Sequence, residues 1–160
     1  MPKITLILHN IRSTYNVGSI FRTAEGFGVE KIICSGYTPY PTFDGDTRLP
    51  HIADKLTKQV HKAALGAETM VPFDYHEDIK AWLEISKLPL VALEQSPSSI
   101  SLRKYTPPPE FALLLGEEVN GIAMPVLMLA RDIVEIPMFG DKESFNVSVA
   151  AGIALFYLTA

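Results

Sequence analysis

The sequence contains little cysteine and no long hydrophobic run. Its single cysteine, Cys34, excludes an intrachain disulfide and any zinc site built from several cysteines. No apolar run approaches the ~18 residues that a membrane span needs, and no basic leader followed by an apolar stretch opens the chain. The four histidines lack both i, i+4 pairing and His-Glu-x-x-His spacing. These absences predict a cytoplasmic protein with no membrane segment, no metal and no disulfide.

The charge of the chain is unevenly distributed. The 160 residues are 48% hydrophobic and 20% charged with a net charge of −4, which favours one globular domain over residues 1–160. Residues 1–66 hold eight Lys and Arg against five Asp and Glu, and residues 67–160 hold six against thirteen. The basic region 48–62, with Arg12 and Lys3, is therefore a candidate phosphate-binding face for an anionic partner such as nucleic acid. Clustering of this size also arises on surfaces that bind no anion.

Short apolar runs alternate with helical patterns along the chain, which predicts an α/β fold with a mostly parallel sheet and helices on both faces. The predicted strands cover residues 4–8, 32–34, 69–71, 90–93, 111–115 and 133–136. The predicted helices cover 17–27 (capped by Asn16), 52–65, 79–85, 125–130 and 146–158 (capped by Ser144 or Asn146), and 36–50 and 96–109 are predicted loops. Such sheets bind ligands at the carboxyl ends of their strands, here in the loops 9–16, 94–99, 116–121 and 137–145.

The common phosphate-binding and hydrolase motifs are missing from these loops. No Gly-x-Gly-x-x-Gly follows the first strand, and neither a Walker A loop nor a Gly-x-Ser-x-Gly elbow occurs. A dinucleotide-binding Rossmann site is therefore not supported.

Three other segments stand out. Residues 16–24 read Asn-Val-Gly-Ser-Ile-Phe-Arg-Thr-Ala, and in residues 114–122 two acids lie between Gly116 and Gly121, in a loop where backbone can approach a ligand. Residues 136–150 place a Pro-x-x-Gly turn before a capped helix with free backbone N–H groups. Taken singly, each segment is equally typical of an ordinary capped helix or a solvated turn.

Together, the three segments resemble motifs 1, 2 and 3 of the SpoU (TrmH-like) RNA 2′-O-ribose methyltransferases of the SPOUT superfamily. The third is the most specific, because Ile-Pro-Met followed by Ser-Phe-Asn-Val-Ser-Val-Ala is close to the family pattern. In the second, Gly116, Glu118 and Gly121 match, but Glu117 stands where the family usually has Asn. The resemblance covers essentially the whole chain. It implies a minimal catalytic domain without the RNA-binding extension of many members.

The resemblance implies an α/β knot, in which the C-terminal segment forms a deep trefoil knot, and a homodimer with the active site near its interface. It implies S-adenosyl-L-methionine as the methyl donor. Met138 and the closing helix would also supply apolar surface to the dimer. The positions that match the family's cofactor contacts are Leu93, Gly116, Ile136, Met138, Ser144 and Phe145.

The catalytic residues implied by the resemblance are Arg22, Asn16, Glu118, Ser144 and Asn146. Methyl transfer from a sulfonium to a ribose 2′-hydroxyl needs positioning and stabilisation of the developing alkoxide. Because a guanidinium stays protonated, we expect Arg22 to stabilise the 2′-oxygen or to clamp a phosphate, with the proton leaving through a relay. Asn16 and Glu118 would orient Arg22, either in the same subunit or across the two subunits. Ser144 and Asn146 would bind the ribose or its phosphate.

The expected function is therefore 2′-O-methylation of RNA, with tRNA favoured and rRNA as the alternative. A catalytically silent RNA-binding paralogue is the second reading, which the retention of all five matched catalytic positions disfavours. The third hypothesis is a generic nucleotide-binding α/β module. It is the weakest of the three, because the sequence lacks the phosphate-loop motifs.

Overall fold

The chain folds into seven parallel strands and five α-helices, with an α-helix between most successive strands. The computed structural model describes residues 1–160. The elements are β1 Lys3–His9, α1 Thr14–Gly26, β2 Lys31–Ser35, α2 Pro50–Ala64, β3 Phe73–His76, α3 Ile79–Ser86, β4 Leu90–Leu93, β5 Ile100–Ser101, β6 Glu110–Leu115, α4 Met124–Leu127, β7 Asp132–Glu135 and α5 Val147–Leu158. This alternation confirms the predicted α/β class.

The strand order in the sheet is β3-β2-β1-β6-β4-β7-β5, and every neighbouring pair is parallel. From β1 the chain moves outward through β2 to β3, and the later strands all lie on the other side of β1. The sheet thus changes direction at the β1–β6 pair, where open α/β sheets bind their ligands. The carboxyl ends of β4, β6 and β7 lie beside this point.

Both faces of the sheet are covered, as predicted for a parallel sheet. Successive side chains of a strand point to opposite faces. Leu6 and Leu113 therefore belong to a core cluster of 26 buried residues, which includes residues of α1, α2 and α5. Ile7 and Leu114 belong to a second cluster of 10 buried residues with α3 and α4. Cys34 is a buried member of the larger cluster, and burial raises the pKa of its thiol to about 12.

The predicted cap of the first helix was wrong. Helix α1 begins at Thr14 and its cap is Ser13, whose hydroxyl accepts a hydrogen bond from the Asn16 backbone N–H at 3.2 Å. Asn16 lies in the first turn with its side chain buried, where it bonds to other segments. At α5, Asn146 rather than Ser144 is the cap, because its Oδ1 accepts from the Ser148 N–H at 2.8 Å.

The prediction also misplaced one strand and missed another. Residues 69–71 form no strand. A 3₁₀ turn at Ala67–Thr69 follows left-handed Leu65 and Gly66, and the strand starts only at Phe73. The predicted loop 96–109 contains β5 and a second 3₁₀ turn, Leu102–Lys104. A two-residue strand is too short to show any periodicity. The other predicted helices and strands overlap the observed ones.

Candidate active site

A cleft of about 490 Å³ opens at the carboxyl ends of β4, β6 and β7. Three chain segments supply most of its lining, and they fall in three of the four loops that the sequence predicted. They are residues 93–95 after β4, the loop 115–122 after β6, and residues 143–147 before and at the start of α5. About half of the lining residues are hydrophobic, which suits a ligand with a flat apolar part.

Five of the six predicted cofactor-binding residues line this cleft, namely Leu93, Gly116, Ile136, Ser144 and Phe145. Met138 does not line it and lies half-buried elsewhere in the 137–145 loop.

Gly116 and Gly121 give the loop after β6 its tight path. A Cβ on Gly116 would lie 2.9 Å from the backbone of Gly121 and would meet the Ile122 side chain. Gly121 has a φ of +68°, and a Cβ there would collide with the Glu94 carboxylate. That carboxylate accepts hydrogen bonds from the Ile122 and Gln95 backbone N–H groups, both at 2.9 Å. Sequence reasoning missed Glu94, whose only signal was its position directly after β4.

The cleft is acidic. It contains no Lys, Arg or His, and five glutamates line it: Glu94, Glu117, Glu118, Glu135 and Glu143. In a partly water-excluded site, carboxylates favour a cationic ligand and repel phosphates. The lining therefore fits a positively charged small molecule and argues against a nucleoside phosphate.

Glu118 ties the second motif to the start of α1. Its carboxylate accepts hydrogen bonds from the backbone N–H groups of Arg12 at 3.1 Å and Ser13 at 3.2 Å, and from the Asn16 amide at 3.2 Å. Partial burial raises the pKa of the Glu118 carboxyl, but these hydrogen bonds outweigh it and hold the pKa below its ordinary value. Glu118 is therefore an anion at neutral pH.

Asn16 extends this network to the third motif. Its Oδ1 accepts a hydrogen bond from the Asn146 amide at 3.2 Å. Asn16, Glu118 and Asn146, which lie far apart in the sequence, thus form one hydrogen-bonded chain beside the cleft. Ser144 lines the cleft itself.

Arg22 does not reach the cleft of its own chain. It is exposed on α1, about 9 Å of helix rise beyond Asn16, and it forms none of the ion pairs. Within one chain, the Glu118 carboxylate accepts from the Ser13 backbone N–H and from the Asn16 side-chain amide, and neither Asn16 nor Glu118 is hydrogen-bonded to the Arg22 side chain.

Glu117 occupies the position where the family usually has Asn, and it helps to close the loop after β6. Its carboxylate accepts hydrogen bonds from the Asn120 amide at 3.2 and 3.3 Å, and its backbone pairs with Gly121. The amide at this turn therefore comes from Asn120, three residues later.

Of the basic residues that the sequence offered for phosphate binding, Arg48 is already occupied. It pairs with Asp46 at 2.7 Å and donates to the Tyr40 and Pro41 carbonyls. No three His, Cys, Asp or Glu side chains are grouped so that they could hold a metal ion, and no helix is both long and apolar enough to cross a membrane.

Comparison with known proteins agrees with this architecture. The profile of the SpoU rRNA Methylase family matches residues 3–156. The 23S rRNA (guanosine-2′-O-)-methyltransferase RlmB of Nitrosomonas europaea is 31% identical over 97% of this chain and 55% of its own length. The tRNA (guanosine(18)-2′-O)-methyltransferase of Escherichia coli is 29% identical over 97% of this chain and 62% of its own length. The chain thus spans little more than half of these relatives.

A similar fold is seen in the SpoU methyltransferase AviRb from Streptomyces viridochromogenes, solved in complex with AdoMet. It superimposes with a TM-score of 0.79 at 20% identity, over 98% of this chain and 57% of AviRb. The parallel sheet, with a cleft at its change of direction, defines the chain as an open α/β protein that shares the fold of this structure. It belongs to the SpoU rRNA Methylase family.

Proposed function

We propose that this protein transfers a methyl group from S-adenosyl-L-methionine to a ribose 2′-hydroxyl of RNA. The observation that supports the proposal most directly is the acidic cleft lined by the second and third family motifs, to which Asn16 of the first motif is tied through Glu118. When bound, this donor supplies an electrophilic methyl on a sulfonium, and the donor's net positive charge matches the five glutamates. The generic nucleotide-binding module has no such match, because its ligands carry phosphates.

The cleft residues that would hold the donor are Leu93, Gly116, Ile136, Ser144 and Phe145. Gly116 and Gly121 let the loop beside the donor close tightly, since a Cβ on either would strike Ile122 or Glu94. The apolar side chains would cover the base. Met138 remains a family match outside this lining.

The chemistry needs a 2′-oxygen placed in line with the methyl group. The bond between carbon and sulfur breaks while the bond between carbon and the 2′-oxygen forms, and the hydroxyl proton leaves to water or a relay. The protein's task is to position the oxygen and to favour its developing charge. We assign the positioning of the ribose or its phosphate to Ser144 and Asn146, and the charge to the Arg22 guanidinium. Asn16 and Glu118 would hold the loop after β6 against the start of α1, which carries Arg22.

Because Arg22 does not reach its own cleft, we propose that it serves the cleft of a second copy in a homodimer. The support is an apolar stripe on α5, formed by Val149, Ile153, Phe156 and Tyr157 at i, i+4, i+7 and i+8. Phe156 is 63% exposed and Val149 is 50% exposed, and α5 carries no charged residue. An exposed stripe of this kind is characteristic of an association surface.

We propose tRNA as the substrate and rRNA as the alternative. This chain is similar to relatives named for either substrate. We favour tRNA because several of these relatives are named as tRNA (guanosine(18)-2′-O)-methyltransferases. We propose that the protein acts in the cytoplasm, as expected of an enzyme that modifies tRNA or rRNA. A catalytically silent paralogue remains the competing function.

We also propose that residues 1–160 act as one catalytic domain with a trefoil knot at the C-terminal segment. The support is that the chain after β7 passes the loops after β4 and β6, where Gln95 donates to the Glu143 carbonyl at 2.6 Å, before α5 packs on α1. Stretching single molecules from both termini tests the knot. A knotted chain stops short of the contour length of its 160 residues, and a fully extended chain would contradict the knot.

The function is tested by calorimetry with S-adenosyl-L-methionine and by incorporation of labelled methyl into bulk tRNA and bulk rRNA. Gly116→Ala should abolish donor binding, because its Cβ meets the loop backbone, while Gly140→Ala, with open space around it, should bind normally. Donor binding without incorporation into either RNA would favour the silent paralogue. Absence of donor binding by the wild type would refute the proposal.

A further inference from the structure

A second cleft of about 440 Å³ lies at the same edge of the sheet, beyond β1. It is more open than the first, and its lining comes from the loop 36–40, Arg48, Tyr75, one face of α2 and Arg12. The two clefts meet at Arg12, because its backbone N–H donates to Glu118 of the first cleft while its side chain lines the second. A nucleotide bound in the second cleft would therefore lie next to the first.

The walls of the second cleft are fixed by internal contacts. Tyr40 stacks on Tyr75 with ring centroids 4.3 Å apart, and the Arg48 guanidinium covers the other face of Tyr40 at 3.7 Å. The Tyr75 hydroxyl donates to the Gly36 carbonyl at 2.7 Å. The Thr38 hydroxyl bridges β1 and its following loop by donating to the Leu8 carbonyl at 2.7 Å. A site built this way loses little entropy when a ligand binds.

Two side chains on this rigid frame are free to bind. Tyr37 is 51% exposed and its ring takes part in none of the aromatic pairs, so no other ring in the chain occupies its stacking surface. The Arg12 side chain is exposed and belongs to none of the ion pairs. An exposed aromatic ring beside an unpaired guanidinium is what a single-stranded nucleotide needs, because bases stack on aromatic rings and phosphates bind arginine.

The two clefts have opposite charge preferences. The first is lined by five glutamates and no cation, whereas the second is lined by the unpaired Arg12 and by Arg48, which is paired with Asp46, and by no acidic residue. The exposed Lys55 and Lys62 of α2 lie one turn either side of the lining residue Gln59. An RNA backbone would therefore be attracted to the second cleft and would leave the first to the cationic donor.

We propose that the second cleft binds the RNA nucleotide next to the methylated one, with its base stacked on Tyr37 and its phosphate on Arg12. This inference rests on the proposed methyl transfer and names the part of the RNA that the enzyme grips. The contact is to a base face and a phosphate, so it orients the strand without selecting one base.

The test compares Tyr37→Ala, Tyr37→Phe and Arg12→Gln with Lys80→Gln, a charge-matched control on α3 at the opposite face of the sheet. Filter binding of bulk tRNA and bulk rRNA is measured at several salt concentrations, with donor binding by calorimetry as the control for folding. Tyr37→Ala should weaken RNA binding about tenfold or more, and Tyr37→Phe should restore it, because stacking needs only the ring. Arg12→Gln should reduce the slope of log affinity against log salt by about 1. Lys80→Gln should leave both unchanged.

Photo-crosslinking gives a second readout on the wild-type protein. RNA carrying 5-iodouridine should crosslink to Tyr37, and mapping of the modified peptide identifies the site. Normal RNA binding by Tyr37→Ala and Arg12→Gln, in a protein that methylates RNA, would overturn the second cleft and leave the proposed function intact. A wild type that binds the donor but neither binds nor methylates RNA would overturn both.

Discussion

Two adjacent glutamates illustrate how much a single residue's surroundings decide. Glu117 and Glu118 are indistinguishable by type, yet Glu117 bonds only within its own loop, to Asn120. Glu118 accepts three hydrogen bonds from residues 12–16, which are more than 100 positions away in the sequence. Of the two, Glu118 is therefore the one that holds separate parts of the candidate site together.

Glu118→Gln should impair both stability and methyl transfer. The amide has one acceptor oxygen for three donors, and a neutral acceptor bonds more weakly than a carboxylate. We expect the free energy of unfolding to fall by about 1–3 kcal/mol. We also expect methyl incorporation to fall more than tenfold, because the loop that carries Gly116 and Gly121 loses its anchor. Glu117→Gln is the matched control. Equal effects of the two substitutions would contradict the assigned difference.

Asp46 and Arg48 form a local ion pair that supports the loop between β2 and α2. Hydrogen bonds from Arg48 outweigh the opposing effect of burial and lower the pKa of Asp46 from 3.8 to about 2. A carboxyl whose pKa is lower in the folded state stabilises the fold above its unfolded pKa. That contribution is lost as the pH falls through the folded pKa.

Asp46→Asn should therefore be less stable than the wild type at neutral pH, and the difference should shrink as the pH falls from about 4 to about 2. Urea unfolding at a series of pH values measures it. Asp44→Asn in the same loop, whose side chain is exposed and unpaired, should leave the free energy of unfolding unchanged. A constant difference at every pH would contradict the ion pair's role.

At the scale of elements, the contact between α1 and α2 depends on Gly18. A Cβ at this position would strike the Val60 carbonyl oxygen and come within 3.0 Å of Ala63 Cβ. The two helices pack this closely because Gly18 faces two alanines, Ala63 and Ala64, of α2. Since α1 also carries Asn16 and Arg22, the packing of α1 against α2 determines the position of the first motif.

Gly18→Ala should destabilise the protein even though alanine favours a helix. Helix propensity alone would add up to about 1 kcal/mol of stability, but forcing the helices apart costs about 1–3 kcal/mol. We expect a net loss in the free energy of unfolding, measured by chemical denaturation. Gly26→Ala, at the end of the same helix with nothing within 4 Å, should be neutral or slightly stabilising. Stabilisation by Gly18→Ala would show that the helices can separate without loss.

At the scale of the whole molecule, the proposed dimer explains why Arg22 lies outside its own cleft. If each Arg22 serves the other chain, an Arg22→Ala protein and a Gly116→Ala protein should each be inactive, and their mixture should regain activity. Each mixed dimer has one intact cleft and one intact Arg22 that faces it. Incorporation of labelled methyl after mixing measures this.

The α5 stripe provides the control for this experiment. Phe156→Lys in both chains should give monomers by sedimentation and should prevent the recovery, because it places a charge in the proposed interface. If the mixture stays inactive while sedimentation shows dimers, Arg22 does not act across the subunits.

Most of the helices and strands, and the loops at the carboxyl edge of the sheet, were predictable from the sequence. Periodicity acts over a few residues, so it located β4 and β6 correctly and could not detect the two-residue β5. The family motifs likewise identified five residues that line one cleft.

Which of these segments contact one another could not be predicted from the sequence and is seen only in the folded chain. The contact of Glu118 with Arg12, the anchoring of the loop by Glu94, and the second cleft all depend on the order of strands in the sheet. The capping of α1 by Ser13 was unpredictable for the same reason, because the Asn16 side chain forms hydrogen bonds with the distant Glu118 and Asn146 instead of capping the helix. Strand order is fixed by how buried faces pack together, so the hydrophobic pattern of one segment does not predict which other segments lie beside it.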